Sequence, residues 1–220
     1  MKKILIIGAS GHAKVVIDII ERQNTYQIFG LIDSFKDIGT QLLGYNILGT
    51  EDDIPNLIEK HDIYGGLIAV GDNWKRSQLV HKIENLTSNF KFIVAIHPSA
   101  IIGKQVDIEE GSVIVAGVVI NCDTQIGKHC IVNTKASVGH DCTIKAFSSI
   151  APGVTLGGHV MIENHTAISL GANLIGKIHI GEHTVIGAGA LVLNDIESYK
   201  IAYGVPAKPI KNREAGDVYL

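Results

Sequence analysis

An aliphatic residue recurs at every sixth position through sixteen consecutive hexads, and this period constrains the fold more than any other feature of the sequence. The recurring residues are Ile102, Ile108, Ile114, Ile120, Ile126, Val132, Val138, Ile144, Ile150, Leu156, Ile162, Ile168, Leu174, Ile180, Ile186 and Val192. A short fixed period is typical of solenoid proteins, in which each repeat buries its apolar face only by stacking on its neighbours. The sequence therefore predicts a parallel β-helix of triangular coils, with three hexads in a turn, about 18 residues per turn and about five turns. A β-sandwich has no reason to keep a six-residue phase over 96 residues.

Four positions after most of these residues stands a small or β-branched side chain that fits a narrow core. The set is Ser112, Val118, Thr124, Cys130, Ala136, Cys142, Ser148, Val154, Val160, Thr166, Ala172, Thr184 and Ala190. Two of the three cysteines belong to it, so we expect them to fill the core. The odd number and the absence of a Cys-x-x-Cys pair argue against a disulfide framework or a cysteine metal site. No cysteine is predicted to lie beside a base.

The N-terminus reads as the opening of a nucleotide-binding βαβ unit. Residues 3–7 form a continuous apolar run, which predicts a buried parallel strand and not the longer apolar region of a signal peptide. A glycine-rich turn containing Gly8, Ser10, Gly11 and His12 follows, and then a helical pattern. Glycines allow the backbone to approach a phosphate at a helix N-terminus. The spacing is Gly-x-x-Gly and not the full dinucleotide fingerprint, so a tight turn without a ligand stays open as an alternative.

Further elements of an α/β domain follow in order. The sequence predicts strands at 26–32, 66–70 and 92–96 and a short helix at 52–60. Pro98 disfavours continuation of a central strand, so the domain is predicted to close there. We expect a Rossmann-like N-terminal domain over residues 1–96.

Polar or small residues stand at the ends of two predicted strands. Asp33 ends the second strand, and Gly71 and Asn73 follow the third. Ligands of open α/β sheets bind in the crevice outside the carboxyl ends of the strands, where an acidic residue contacts a ribose or base. Asp33 suits a turn equally well.

The charge balance excludes some classes of partner. Nineteen Lys and Arg residues against 22 Asp and Glu give a net charge of −3, so no basic stripe for a nucleic acid is expected. No 18-residue apolar segment occurs, so no membrane span is predicted. Together with the cysteine usage this favours a reducing, cytoplasmic setting.

The chain after the hexads is short and polar. The β-helix is predicted over residues 97–197, and residues 198–220 form a C-terminal tail. Two prolines and a glycine between residues 203 and 209 predict an irregular segment, and residues 212–220 are expected to be loosely ordered.

One histidine stands out when residues 18 apart are treated as stacked neighbours. Strands of adjacent coils lie about 4.8 Å apart, so His140 is expected on the same edge as Gly158, one coil away. A general base beside a free backbone N–H is what acyl transfer to an amine or hydroxyl needs. Asp141 is adjacent and could orient the imidazole, as a carboxylate does in a catalytic triad.

Three other histidines share one position in the hexad. His129, His165 and His183 differ by multiples of 18 and are expected along one side of the prism. A zinc site is conceivable there. We favour a polar outer face of satisfied histidines, because two stacked imidazoles without a third convergent ligand make a poor site.

The combination of motifs resembles a known family. It comprises the Gly-Ala-Ser-Gly-His start, Asp33, the His-Pro-Ser-Ala entry into the hexads, the segment from Asn133 to Cys142 and the Gly-Val-Pro-Ala-Lys tail. The chain is similar along nearly its whole length to hexapeptide-repeat sugar acetyltransferases, typified by sialic acid O-acetyltransferases and UDP-4-amino-sugar N-acetyltransferases. The resemblance implies a left-handed parallel β-helix, a homotrimer, acetyl-CoA in the groove between neighbouring β-helices and a nucleotide-linked sugar held by the N-terminal domain.

The resemblance also implies roles for individual residues. His140 matches the catalytic base, Asp141 its acidic partner and Gly158 the backbone amide that receives the thioester carbonyl. The nucleotide-binding residues would be Gly8, Ser10, Gly11, His12 and Asp33, with Gly71 and Asn73 in a second substrate loop. The CoA site would include Ser149, Gly158, Gly187, Ala188, Pro206 and Lys208.

Ser149 stands where the family often has a second histidine, so only a hydroxyl is available near the acetyl group. The resemblance implies direct transfer from acetyl-CoA with no metal, and it favours an N-acetyltransferase for a nucleotide-linked 4-amino-4,6-dideoxysugar in bacterial surface glycan synthesis. O-acetylation of a sialic acid-type sugar is the nearest alternative. A γ-type carbonic anhydrase and a non-catalytic nucleotide-sugar-binding protein are the others, and the first would need three convergent zinc-binding histidines.

Overall fold

The computed structural model of the chain describes residues 1–218. The N-terminal domain is a six-stranded sheet with helices on both sides. Its elements are β1 (Lys2–Ile7), α1 (Gly11–Gln23), β2 (Tyr26–Ile32), β3 (Gln41–Leu42), β4 (Tyr45–Gly49), a 3-10 turn (Glu51–Asp53), α2 (Ile54–His61), β5 (Ile63–Ile68), α3 (Asn73–Leu86) and β6 (Lys91–Phe92). The strand order is β3-β4-β2-β1-β5-β6.

The central strand explains the continuous apolar run. Strand β1 pairs in parallel with β2 on one side and β5 on the other, and its residues from Ile4 to Ile7 are fully buried. Because all three strands run in the same direction, their carboxyl ends meet at one edge of the sheet. That edge carries the glycine-rich turn, Asp33 and the segment after β5, and it is called the ligand edge below.

Sequence patterning placed the main elements and missed several details. Strand β5 lies a few residues before the predicted 66–70. The short antiparallel pair β3 and β4 was not predicted. The predicted strand 92–96 is divided, because β6 joins the N-terminal sheet while Ala95–Ile96, strand β7, pairs with Val113–Ile114 in the second domain. Regular coiling therefore begins before the predicted boundary at residue 97.

The hexads form a parallel β-helix as predicted, with one two-residue strand in each hexad. The strands are β8 (Ile101–Ile102), β9 (Asp107–Ile108), β10 (Val113–Ile114), β11 (Val119–Ile120), β12 (Gln125–Ile126), β13 (Ile131–Val132), β14 (Ser137–Val138), β15 (Thr143–Ile144), β16 (Ser149–Ile150), β17 (Thr155–Leu156), β18 (Met161–Ile162), β19 (Ala167–Ile168), β20 (Asn173–Leu174), β21 (His179–Ile180), β22 (Val185–Ile186) and β23 (Leu191–Val192). Each pairs with a strand 18 residues away, for example Ser137 with Thr155. The second residue of the strand points inward, and Cys130 and Cys142 fill the core as expected.

Three sheets form the sides of the prism. The first face contains β7, β10, β13, β16, β19 and β22, the second face runs from β8 to β23, and the third face runs from β9 to β21. At each corner one residue per coil adopts a left-handed conformation. Asp141 (φ 55°) lies at the corner between the second and third faces, and His165 (φ 56°) at the corner between the third and first faces. These two corners are called the second corner and the third corner below.

The N-terminal domain is fixed to the third corner through α3. Arg76 is buried, and its guanidinium donates to the carbonyl oxygens of His129 (2.8 Å) and Phe147 (3.1 Å). Asn73 Nδ2 donates to the Thr166 carbonyl at 3.1 Å. Helix α1 packs in a core shared with Val113 of the β-helix. These contacts bring the ligand edge of the sheet close to the β-helix.

The C-terminal tail is more regular than predicted. Strand β24 (Lys200–Gly204) continues the first face beside β22, and β25 (Ala207–Asn212) returns antiparallel to it, with a cis peptide bond before Pro206 in the turn. The prolines are tolerated because β25 lies at the edge of its sheet. Arg213 is buried, so the expected loose segment begins later than residue 212, and its last two residues lie outside the described part. No helix within residues 1–218 has the length and apolar character to cross a bilayer.

Candidate active site

His140 and Asp141 form an imidazole–carboxylate pair at the second corner. His140 Nδ1 lies 2.6 Å from Asp141 Oδ2, and both side chains are about half exposed. The hydrogen bond from His140 is the main cause that lowers the pKa of Asp141 below its usual value. An ionised carboxylate on Nδ1 holds the hydrogen on that nitrogen and leaves Nε2 as the proton acceptor. The pair is therefore arranged as a general base.

Gly158 lies directly above the acceptor nitrogen, as the 18-residue spacing predicted. A Cβ atom at position 158 would fall 2.6 Å from His140 Nε2. Only a glycine leaves room there for the ring. Among the residues that the structure describes, the Gly158 N–H donates to no carbonyl or side chain. A base and an unused donor on one coil edge match the needs of a reaction that develops negative charge on a carbonyl oxygen.

His159 is a third member of this corner that sequence reasoning did not single out. Its Nε2 lies 3.8 Å from Asp141 Oδ2, and its ring is perpendicular to that of His140 at 5.1 Å between centroids. The sequence contains a signal for this residue, because His159 stands 18 positions after Asp141 and is therefore its stacked neighbour. The carboxylate is thus shared between two imidazoles.

Cys122 also belongs to this corner. It stands 18 residues before His140, its side chain is exposed, and its carbonyl oxygen accepts from the Asp141 N–H at 3.1 Å. Cys122 is therefore stacked one coil away from the proposed base, and the expectation that no cysteine lies beside a base stays a prediction. The other two thiols are buried, and burial raises the pKa of Cys130 to about 12.

Two loops at the ligand edge of the N-terminal sheet are connected through hydrogen bonds to the carboxylate of Asp33. Asp33 accepts hydrogen bonds from the Ala9 N–H (2.8 Å) through Oδ2 and from the Phe35 N–H (2.9 Å) through Oδ1. Lys36 Nζ donates to the Ala9 carbonyl. Gly8 has φ +103°, a conformation that favours glycine. Asp33 therefore shapes the turn, and its predicted contact with a ribose or base stays a prediction.

Ser10, Gly11 and His12 line the same turn, with Ser10 and Gly11 exposed. Burial, and then the positive charge of Arg76, lowers the pKa of His12 to about 4, so its imidazole is neutral at pH 7. Within residues 1–218 its buried Nε2 has no hydrogen-bond partner. The predicted contact of His12 with a nucleotide stays a prediction.

The two residues of the second predicted substrate loop, Gly71 and Asn73, lie in different environments. The Gly71 carbonyl accepts from Arg76 at 2.9 Å, and the residue is partly exposed. Asn73 is 1 % exposed and bonds to Thr166 and Arg76. Its amide is enclosed in the junction between the domains, and its predicted place in a substrate loop stays a prediction.

Three of the predicted CoA residues lie together on the first face. Ser149, Gly187 and Ala188 line a shallow groove of about 390 Å³ that is mostly apolar. Pro206 and Lys208 lie nearby in the β24–β25 hairpin, whose Tyr203 packs against Gly187. The second face separates this groove from the second corner. One chain therefore does not bring these residues to His140 and Gly158.

The column of histidines at the third corner is not an outer face. The rings of His129, Phe147, His165, His183 and Tyr199 stack in one row, with 4.6–5.1 Å between centroids. Trp74 of α3 packs against two of them. In the described part of the chain, the buried Nδ1 atoms of His129 and His165 have no hydrogen-bond partner. The expected face of satisfied polar histidines is therefore wrong, because α3 covers it.

Comparisons with known proteins agree with this architecture. Residues 3–83 match the PglD N-terminal domain family. The chain is 34 % identical to a histidine-to-asparagine variant of perosamine N-acetyltransferase from Caulobacter crescentus, crystallised with CoA and GDP-perosamine, over 96 % of this chain and 98 % of that one, with a TM-score of 0.89. The acetyltransferase domain of PglB from Neisseria gonorrhoeae, in complex with acetyl coenzyme A, is 32 % identical over 95 % and 99 % of the two chains, with a TM-score of 0.86.

A curated relative points the same way. GDP-perosamine N-acetyltransferase from Escherichia coli O157:H7 is 26 % identical over 73 % of this chain and 72 % of its own. The full-length structural agreement at more than 30 % identity establishes the left-handed parallel β-helix and the α/β domain before it. The chain belongs to the hexapeptide-repeat sugar N-acetyltransferases, and it is an acyltransferase that uses acetyl-CoA.

Proposed function

We propose that the chain acetylates the 4-amino group of a nucleotide-linked 4-amino-4,6-dideoxysugar in bacterial surface glycan synthesis, with His140 as the general base. The observation that carries this proposal is the His140–Asp141 pair beneath Gly158. It occurs in a chain whose structural relatives were crystallised with CoA and GDP-perosamine. Those relatives are N-acetyltransferases, which favours nitrogen over oxygen as the acceptor.

The transfer follows from the geometry of the second corner. The neutral amine attacks the thioester carbonyl of acetyl-CoA, and His140 Nε2 accepts the proton that the amine loses. The Gly158 N–H donates to the oxygen that becomes negative. When the tetrahedral intermediate collapses, the C–S bond breaks and the CoA thiolate takes the proton from His140. Asp141 stabilises the imidazolium between these two steps.

The test is acetyl transfer to a panel of acceptors by wild type and His140→Ala. The panel contains UDP- and GDP-linked 4-amino-4,6-dideoxysugars and free and CMP-linked sialic acid, and thiol release reports the rate. We expect turnover on an amino sugar and a loss of roughly 10²–10⁴-fold in His140→Ala, the usual contribution of a general base. His81→Gln, which changes an exposed histidine on α3, is the control. Full activity of His140→Ala would contradict the proposal.

The nucleotide of the substrate is proposed to bind at the ligand edge of the N-terminal sheet. Gly8, Ser10, Gly11 and His12 line this crevice, and the segment ending at Gly71 borders it. Asp33 supports the crevice through its two backbone hydrogen bonds. We expect Asp33→Ala to raise KM for the nucleotide sugar by about tenfold, since two charge-assisted hydrogen bonds are lost. KM for acetyl-CoA should not change.

A homotrimer is proposed because the catalytic groups and the CoA groove lie on different sides of one chain. In a trimer, the second corner of one protomer would face the groove around Ser149, Gly187 and Ala188 of its neighbour, with Pro206 and Lys208 near the far end of CoA. The exposed apolar side chains of Leu170 and Val205 on this side fit a surface that is covered in an assembly. Light scattering should give a mass of about 71 kDa, three times the 23.6 kDa of the chain. A monomer with full activity would contradict this arrangement.

The cytoplasm stays the predicted location.

A further inference from the structure

Three metal-ligating side chains converge at the second corner. One ring nitrogen of His140, a carboxylate oxygen of Asp141 and one ring nitrogen of His159 all lie within 4.8 Å of one another. Within residues 1–218, no other group of three His, Cys, Asp or Glu side chains meets this condition. The cluster includes the proposed base, so any ligand that it binds acts directly on the reaction.

The backbone fixes these three residues and leaves their side chains free to adjust. Asp141 and His159 occupy the same left-handed corner position in successive coils, with φ 55° and 58°. The His159 N–H donates to the His140 carbonyl at 2.8 Å, which locks the two coils together. The three side chains are 45–55 % exposed, so the rings and the carboxylate can rotate without disturbing the core.

Of the two measured distances between ligand atoms, one is shorter and the other longer than a tetrahedral metal ion requires. Ligand bonds of about 2.0–2.1 Å at tetrahedral angles place donor atoms about 3.3 Å apart. The separation from Asp141 Oδ2 is 2.6 Å to His140 Nδ1 and 3.8 Å to His159 Nε2. Each contact therefore changes by less than about 1 Å when an ion enters.

The donor set selects the class of ion. Two imidazoles and one carboxylate suit Zn²⁺ and its neighbours in the transition series, while Mg²⁺ prefers oxygen ligands. Because the corner is open to solvent, water can complete the coordination sphere.

We propose that His140, Asp141 and His159 bind one divalent ion of the zinc class, and that this ion inhibits acetyl transfer. In the metal-free site, the Nδ1 hydrogen points at Asp141 and Nε2 accepts the proton of the amine. An ion on Nδ1 displaces that hydrogen, and a neutral imidazole bound in this way carries its hydrogen on Nε2. The ring then has no free lone pair for the amine proton. The inhibition rests on the proposed role of His140, whereas the binding does not.

The binding is tested by titration calorimetry of chelator-treated protein with Zn²⁺ and Mg²⁺. We expect one Zn²⁺ per chain and no Mg²⁺, and Co²⁺ should give the visible absorption of a tetrahedral site. His159→Ala should weaken Zn²⁺ binding at least tenfold, whereas His81→Gln and Cys122→Ser should not. An unchanged isotherm in His159→Ala, or loss of binding in Cys122→Ser, would overturn the site.

The inhibition is measured separately, by chromatography of the acetylated sugar, because Zn²⁺ also binds the thiol of released CoA. We expect Zn²⁺ to stop transfer over the concentration range in which it binds, a chelator to restore the rate, and His159→Ala to need at least tenfold more Zn²⁺ for half inhibition. Full transfer at saturating Zn²⁺ would overturn the inhibition. If the metal-free protein acetylated no acceptor, the proposed function would fail, and the calorimetry would still decide whether the site exists.

Discussion

Two corners of the same β-helix carry histidines in opposite environments. At the second corner, called the open corner here, His140 and His159 are about half exposed and share the carboxylate of Asp141. At the third corner, called the covered corner here, His129 is 2 % exposed, and α3 covers it together with the rings stacked above it. Burial, followed by the positive charge of Arg76, lowers the pKa of His129 to about 4, so that ring stays neutral.

The difference shows that the hexad position of a histidine does not determine its role. Coils repeat the same backbone at each corner, so local structure at Asp141 and His165 is nearly identical. What differs is the surface that packs outside the corner. An open corner whose imidazole is hydrogen-bonded to a carboxylate supports proton transfer, whereas a covered corner uses imidazoles as flat packing units.

The largest effect is expected at the open corner from Gly158→Ala. The added Cβ would lie 2.6 Å from His140 Nε2, so the ring must move away from the reacting amine. Gly158 does not have a left-handed φ, so alanine adds no backbone strain. We expect kcat to fall by roughly 10²–10³-fold, within the contribution of a general base, because the backbone N–H is kept and only the base is displaced. Thermal unfolding should show a folded protein. A kcat within threefold of wild type would mean that the base does not act from this position.

The second effect concerns the covered corner. Arg76→Met removes the guanidinium that bonds to the carbonyls of His129, Phe147, Val70 and Gly71 at 2.8–3.1 Å. These acceptors would be left buried without a charged donor, so we expect a loss of about 3 kcal/mol in the free energy of unfolding. Urea denaturation measures it, and Lys75→Met, an exposed cation one residue earlier, is the control. Equal stability of the two variants would show that α3 is held mainly by apolar contacts.

The sequence predicts the open corner well and the covered corner poorly, for a physical reason. The hexad period determines the strand pairing, so the alignment of His140 with Gly158 follows from counting residues. The same count would have found His159 above Asp141. Nothing in the local pattern indicates that α3 packs on the third corner, because that contact joins residues such as Asn73 and Thr166 that are far apart in sequence. The single chain also separates Ser149 from His140, and no periodicity shows which faces meet in an assembly.

The third effect is loss of stability in acid at the covered corner. His129 and His165 have pKa values of about 4 in the folded chain against about 6.5 when unfolded, mainly because of burial. The unfolded state then binds more protons, so the stabilisation is complete above pH 6.5 and is lost as the pH falls towards 4. For His129 alone this amounts to about 2 kcal/mol at pH 5.

Thermal unfolding from pH 7.5 to 4.5 measures this dependence. His129→Gln cannot become charged in this range, so its melting temperature should fall less steeply with pH than that of wild type. His61→Gln changes an exposed histidine that is not among the charges acting on His129 or His165, and it should follow the wild-type curve. A His129→Gln curve parallel to wild type would place the acid sensitivity elsewhere, for example at His12, whose pKa is also lowered to about 4 by burial.

The smallest effect is expected from His165→Phe, and it tests whether the covered corner needs histidine at all. Phe147 already occupies the equivalent position one coil below, and its ring stacks on His165 at 5.1 Å. Phenylalanine would keep the stacking and remove a buried Nδ1 that has no partner among residues 1–218. The unfolding free energy at pH 7 should therefore stay within about 1 kcal/mol of wild type, because an apolar ring replaces an unsatisfied polar one. Acetyl transfer should be unaffected, since this corner is not the one that carries His140. A loss of several kcal/mol would show that the imidazole makes a polar contact on which the docking of α3 depends.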